Sequence, residues 1–201
     1  MRVSDVTVSA LIRTFAGRHK LPVEVDEVVA ALRARDIQDE IYYFWDSGIN
    51  TGILNGFIQH WDYETGNGLQ RCADITYARS TNDQERLVCT KEMLHILDPE
   101  RALVSSDPAI EALMEKIILP PDLVDYESDG IHALTDRVAV AQALAVLFPF
   151  AARAVLLEPY RTKKIDIDVI AELAELPPKY VSAVMNDNWE STHALLVRMD
   201  Q

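Results

Sequence analysis

Residues 73–98 read ADITYARSTNDQERLVCTKEMLHILD, and this stretch decides how the rest of the chain is placed. Leu69 to Ala78 has the make-up of a strand. Ser80, Thr81, Asn82 and Asp83 form a helix-capping cluster, because short polar side chains accept from the free N–H groups of a first turn. Gln84 to Leu97 then has helical period, with Leu87, Val88, Met93 and Leu94 among its apolar positions, and Asp98-Pro99 ends it. Within that helix stand Lys91, Glu92 and His95. Two histidines four residues apart on a helix face the same way and can grip one zinc ion, while a glutamate after the first serves as general base. Glu92 and His95 keep that relation here, but the first position is Lys91.

Working outward, Val8, Leu11, Ile12 and Phe15 recur at helical spacing within 4–18, and Leu21-Pro22 breaks the pattern. A second helix is predicted over 25–35, opened by acidic residues that suit its N-terminus. Residues 40–46, EIYYFWD, read as an aromatic strand, 52–61 as a second and 69–78 as a third, separated by turn chemistry. Three short strands of this kind predict a small antiparallel sheet or meander. Tyr42, Tyr43, Phe44 and Trp45 are expected mainly in the sheet core, with one face able to line a substrate-like groove. A helix is predicted over 107–118, a proline-containing acidic loop over 119–131, and a buried alanine-rich helix over 133–149. Three short helices follow, near 166–175, 178–186 and 189–198. The expected class is α+β, with a zincin-like unit over 1–157 and a helical cap over 158–201.

Composition narrows the functional classes. The chain has 201 residues, 49% hydrophobic and 25% charged, enough to bury a core. A net charge of −13 repels phosphate backbones, so direct nucleic-acid binding is not expected. Arg161-Thr162-Lys163-Lys164 is too short a basic run to overturn this. No apolar run approaches the roughly 20 residues that cross a bilayer. The charged amphipathic start lacks the pattern of a secretory signal, and the expected location is cytoplasmic. Cys72 and Cys89 are expected reduced.

With these residues in view, the chain resembles the ImmA/IrrE family of zincin-like metallopeptidases, which occur beside phage-type repressors. The family's pattern is an isoleucine-bearing strand, a polar turn, a helix start with arginine and then HExxH, and Ile75 to Leu97 follows it. The family's next helix has the form ExxAxxFAxxLLxP. Residues 136–149 keep Ala139, Ala143, Leu147 and Pro149. The segment from Ile170 to Val181 has the cadence of the family's closing helix-turn-helix-like stretch. By this resemblance His95 matches the second zinc histidine, Glu92 the general base, and Asp136 the third ligand, a glutamate in the family. Lys91 matches the first histidine.

Lys91 cannot do a histidine's work, because an ammonium has three donors and no lone pair. Catalytic zinc needs three good protein ligands and an open position for water. The expectation is therefore no cofactor, with Lys91 placing its own charge where zinc would sit and pairing with Asp136 and Glu92. A surface lysine with i,i+4 acidic neighbours is the other reading of that residue. A noncanonical zinc site from His95, His132 and Asp136 is the metal alternative. Cys89 is a poor ligand, since it lies on a different helix face from His95. His19, His60 and His193 fit no ligand spacing. Glu111 and Glu115 read as a solvated acidic face.

Other chemistries find no motif: no glycine-rich phosphate loop and no GxSxG elbow occur. The second helix of the C-terminal pair, KYVSAVMND, lacks the basic side chains of a DNA reader and reads as a packing module or protein interface. The leading function is a catalytically inactive metallopeptidase-like protein of phage or mobile-element type. It would bind a protein, such as a repressor-type or basic DNA-binding regulator, with no direct nucleic-acid or membrane contact. The competing classes are an active zinc endopeptidase that cleaves such a regulator, using Glu92, His95 and Asp136, and an acidic decoy that mimics nucleic acid.

Overall fold

The computed structural model describes residues 7–50, 55–66, 68–98 and 130–198, and for 130–137 the backbone alone. The helix expected over 107–118, with Glu111 and Glu115, and residues 119–129 of the loop expected over 119–131 lie outside these residues, while Gly130 and Ile131, expected in that loop, are helical. The described chain is α+β, with eight helices and three strands. In order they are α1 (Val8–Ala16), α2 (Val25–Arg33), β1 (Glu40–Asp46), β2 (Gly56–Thr65), β3 (Gly68–Ala78) and α3 (Asn82–Leu94). After these come α4 (Gly130–Leu147), α5 (Phe150–Arg161), α6 (Ile167–Ala174), α7 (Pro178–Met185) and α8 (Trp189–Leu196).

Local chemistry accounts for the helix ends. Thr7 caps α1, its side chain accepting from the N–H of Ala10 at 3.2 Å. The face read from the sequence, Val8, Leu11, Ile12 and Phe15, is buried. Glu24 and Glu27 form a reciprocal capping box at α2. Asp166 caps α6 by accepting from Val169. Glu175 ends α6 in the left-handed region at φ 50°, and Pro178 opens α7 at its first turn, where a missing N–H costs nothing. Helix α5 has no counterpart in the sequence reading. Pro149 ends α4 and serves as N-cap of α5. The residues of α4 from Val138 onward and α5 meet at 82°.

The sheet differs from expectation. Its order is β1-β3-β2, with β1 parallel to β3 and β2 antiparallel to β3, so it is mixed and not an antiparallel meander. Only β2 and β3 form a hairpin. Its turn needs Gly68, at φ +119°, a backbone state that a side chain disfavours. Nine residues, 47–55, separate β1 from β2 in the sequence, and β3 lies between the two in the sheet. A connection of that length can cross over a strand, whereas a two-residue turn would have forced neighbouring pairing.

Helix α3 packs against β2 and β3, and α4 packs against α3 and α1. Ala73 and Ile75 of β3 join Leu87, Met93 and Leu94 of α3 and Leu144 and Leu147 of α4 in one core. Because α3 lies over β2 and β3, the edge strand β1 keeps its aromatic residues partly in solvent. Tyr42, Tyr43, Phe44 and Trp45 are 40–55% exposed, which corrects their expected place in the core. No single helix among the described residues is long and apolar enough to cross a membrane.

Candidate functional site

The site is built on the last turn of α3. Strand β3 delivers the chain into it through Arg79 and Ser80, whose N–H donates to the Glu85 carboxylate at 2.8 Å. Helix α3 has so little amphipathic contrast because it is covered on nearly all sides: every residue from Arg86 to Leu94 is buried. His95 follows as C-cap with helical φ and ψ, so the spacing from Lys91 to His95 remains helical. A single 3₁₀ turn, His95–Leu97, then closes the element.

Lys91 is 9% exposed and Glu92 3% exposed. The Lys91 Nζ lies 2.9 Å from Glu92 Oε1. Lys91 is therefore not the surface lysine of the alternative reading. An ion pair this deep persists only where charge meets charge at short range, since either group alone would be costly to bury. The expected partners were Asp136 and Glu92; Glu92 is one of them. Asp136 and His132 lie on α4, and their side chains are outside the described residues.

His95 turns to another partner. Its Nδ1 lies 2.6 Å from Asp98 Oδ2. Burial alone would depress the imidazole pKa. The Asp98 hydrogen bond and the charges of Glu92 and Asp98 outweigh burial and the opposing charge of Lys91, and the pKa is raised. His60 of β2 is on the sheet face that α3 covers, near enough to feel the charge of His95, and its pKa is lowered by burial first and then by Arg71. Sequence spacing gave no reason to join His60 to this region, because only strand pairing brings it there. Cys89 is buried, its thiol pushed up to about 12 by burial first and then by Glu85 and Glu92. It is neither a nucleophile nor a ready ligand.

Among the described residues, Lys91 is the one that does not fit a donor set for catalytic zinc. Lys91 presents an ammonium and Glu92 is engaged with it, while the contact of His95 Nδ1 with Asp98 leaves Nε2 as the nitrogen that could meet a metal. Among the described residues no group of three or more histidines, cysteines, aspartates or glutamates could hold a metal ion. What the arrangement can do is hold a buried charge pair in a fixed geometry at the end of a core helix.

Two buried arginines went unread in the sequence. Arg86 of α3 donates through Nη1 to the carbonyls of Ala174 at 2.8 Å and Glu175 at 2.7 Å, and through Nη2 to Val23. It thereby satisfies carbonyls at the end of α6, which a helix leaves unpaired. Arg153 of α5 does the same for α7, donating to Val184 at 2.7 Å and Asn186 at 2.9 Å. The α6–α7 pair is thus fastened from outside itself at both helix ends. A cleft of about 450 Å³ lies between the start of α3 and α6, lined by Asp83, Asp168, Glu172 and Glu175 among others, at the opposite end of α3 from Lys91. No family model, curated protein or solved structure matches the chain.

Proposed function

We propose that this protein is a catalytically inactive, zincin-like relative of the ImmA/IrrE metallopeptidases, of phage or mobile-element type, acting as a regulatory module that binds another protein. The observation that supports this reading is the buried contact of Lys91 with Glu92 at 2.9 Å. In the motif these residues resemble, they stand for the first metal ligand and the general base. A lysine ammonium at the first position repels a dication, and its pairing with Glu92 neutralises the carboxylate that would activate water. Helix α3, which in that family would carry the zinc centre, is a buried core helix. The α6–α7 pair, with one lysine and no arginine, offers a protein-facing rather than a DNA-facing surface.

The test is elemental analysis of the purified chain after exposure to equimolar zinc, followed by gel filtration. The expected result is no stoichiometric zinc in the wild-type chain and no change in melting temperature with chelator. Tight, stoichiometric zinc, with peptide cleavage lost in Glu92→Gln, would overturn the reading in favour of an active peptidase.

A further inference from the structure

The face of the sheet turned away from α3 sets exposed aromatic side chains among carboxylates. Strand registers place Glu40, Tyr42 and Phe44 of β1, Asp74 of β3, and Phe57 and Trp61 of β2 on this one face. Asp74 stands at its centre, in register with Tyr42 on one side and Gln59 on the other. Phe44 and Phe57 flank Thr76 one step along, and Trp61 stands opposite Cys72 one step back. Tyr42, Phe44 and Trp61 are each more than 40% exposed. No lysine or arginine occupies any strand position on this face.

The carboxylates on the face differ in what they hold. Glu40 accepts from the hydroxyls of Tyr42 and Tyr63. Asp46 accepts from the N–H of Gly48 at 2.7 Å. Asp74 Oδ1 is shielded from solvent and has no hydrogen-bond partner among the described residues. A shielded carboxylate oxygen without a donor is an expensive group to keep, and it calls for a donor from elsewhere. Aromatic faces around a carboxylate favour a cation, and a guanidinium above all, since it can stack on rings while it donates to the acid. A second copy of this chain would bring acid to acid on a molecule of net charge −13, which charge complementarity disfavours.

We infer that the open face of the sheet docks an arginine-bearing segment of a partner protein, with the guanidinium over Asp74 and against Tyr42, Phe44 and Trp61. This deepens the reading of the protein as a binding module and rests on it. The face lies on the other side of the sheet from Lys91, so the two can be tested apart.

The experiment titrates the ¹⁵N-labelled full chain with N-acetyl-arginine amide, and separately with its neutral isostere N-acetyl-citrulline amide. The arginine probe is expected to shift the amides of residues 74–76 and the Trp61 indole in a saturable way, with citrulline weaker by about fivefold or more. Asp74→Asn removes the preference for arginine. Phe44→Ala weakens it with the charge unchanged, and decides the matter if Asp74→Asn fails to fold. Glu172→Gln, on the distant α6, leaves the response intact. An Asp74→Asn chain that responds like wild type, shifts confined to the acidic cleft beside α6, or no saturable response would each overturn the inference. Zinc content reads the Lys91 centre alone, so an absent arginine response in zinc-free protein removes the docking face and leaves the inert-centre reading standing.

Discussion

The ammonium of Lys91 lies 2.9 Å from the carboxylate of its own neighbour, Glu92, and both side chains are buried. Successive residues on a helix point about 100° apart and do not normally face each other. The contact exists because the lysine stem is long enough to fold back, and because enclosure leaves the two charges no solvent to prefer.

Truncating the lysine should therefore do more than remove a contact. Lys91→Ala leaves Glu92 as a buried carboxylate without that cation, at an expected cost of about 3 kcal/mol. Lys91→Met combined with Glu92→Gln should recover most of it, because neither side chain then carries charge. Urea unfolding of the three chains checks this. A single variant as stable as wild type would show that the pair is energetically idle.

Writing HExxH at 91–95 should change what the site can hold. Lys91→His supplies the missing lone pair at the position four before His95, and is expected to raise zinc uptake above that of the wild-type chain. Elemental analysis after gel filtration measures the difference. Equal zinc in both chains would mean that Lys91 is not what excludes the metal.

Half-buried His95 and buried His193 predict opposite responses to pH. His95 has a raised pKa, so its stabilising contribution is fully present below the unfolded value of 6.5 and is lost as pH rises through the folded value. His193 is buried against Phe150, at 4.7 Å between ring centroids, and its pKa is lowered by burial and by Arg153. Its contribution is present above 6.5 and is lost as pH falls through the folded value. An NMR titration should show the two imidazoles titrating on opposite sides of 6.5, and Asp98→Asn should move His95 downward.

Arg86 should be the side chain whose loss loosens the C-terminal helices. Arg86→Met removes donors from the carbonyls of Ala174, Glu175 and Val23, at an expected cost of about 3 kcal/mol. Arg86→Lys should recover little, because a point ammonium cannot span carbonyls from two segments as the planar fork does. Hydrogen exchange should quicken first in α6 and α7. Uniform quickening over α1, α2 and the sheet would contradict this.

Gly56 marks a close approach of β2 to α3. A Cβ there would meet Val88 Cγ1 at 2.5 Å and the Thr76 carbonyl oxygen at 2.9 Å. Gly56→Ala should cost about 2 kcal/mol by overpacking. Adding Val88→Ala should recover part but not all, since the Thr76 backbone cannot give way. Thermal melts of the single and double variants test it.

The sequence by itself determined the local elements. The 3.6-residue period of Val8, Leu11, Ile12 and Phe15 and the prolines at 177 and 178 each act over a few residues, so their signals are written in adjacent positions, whereas Thr81, the N-cap of α3, makes no side-chain cap hydrogen bond. It also placed Lys91, Glu92 and His95 on one helix. Tertiary structure decided the rest, because distance along the chain does not encode which strand lies beside which. The parallel pairing of β1 with β3 set the aromatic strand at an edge, exposing side chains that hydrophobicity alone would bury. The packing of α3 under the sheet turned Lys91 from a residue of two readings into a buried cation. Arg86 and Arg153 found their carbonyls 88 and 31 residues away, and nothing near either arginine in sequence could announce that. The KEMLH motif of residues 91–95 was legible from the start; that its lysine is enclosed against its own glutamate was settled only when the core closed around it.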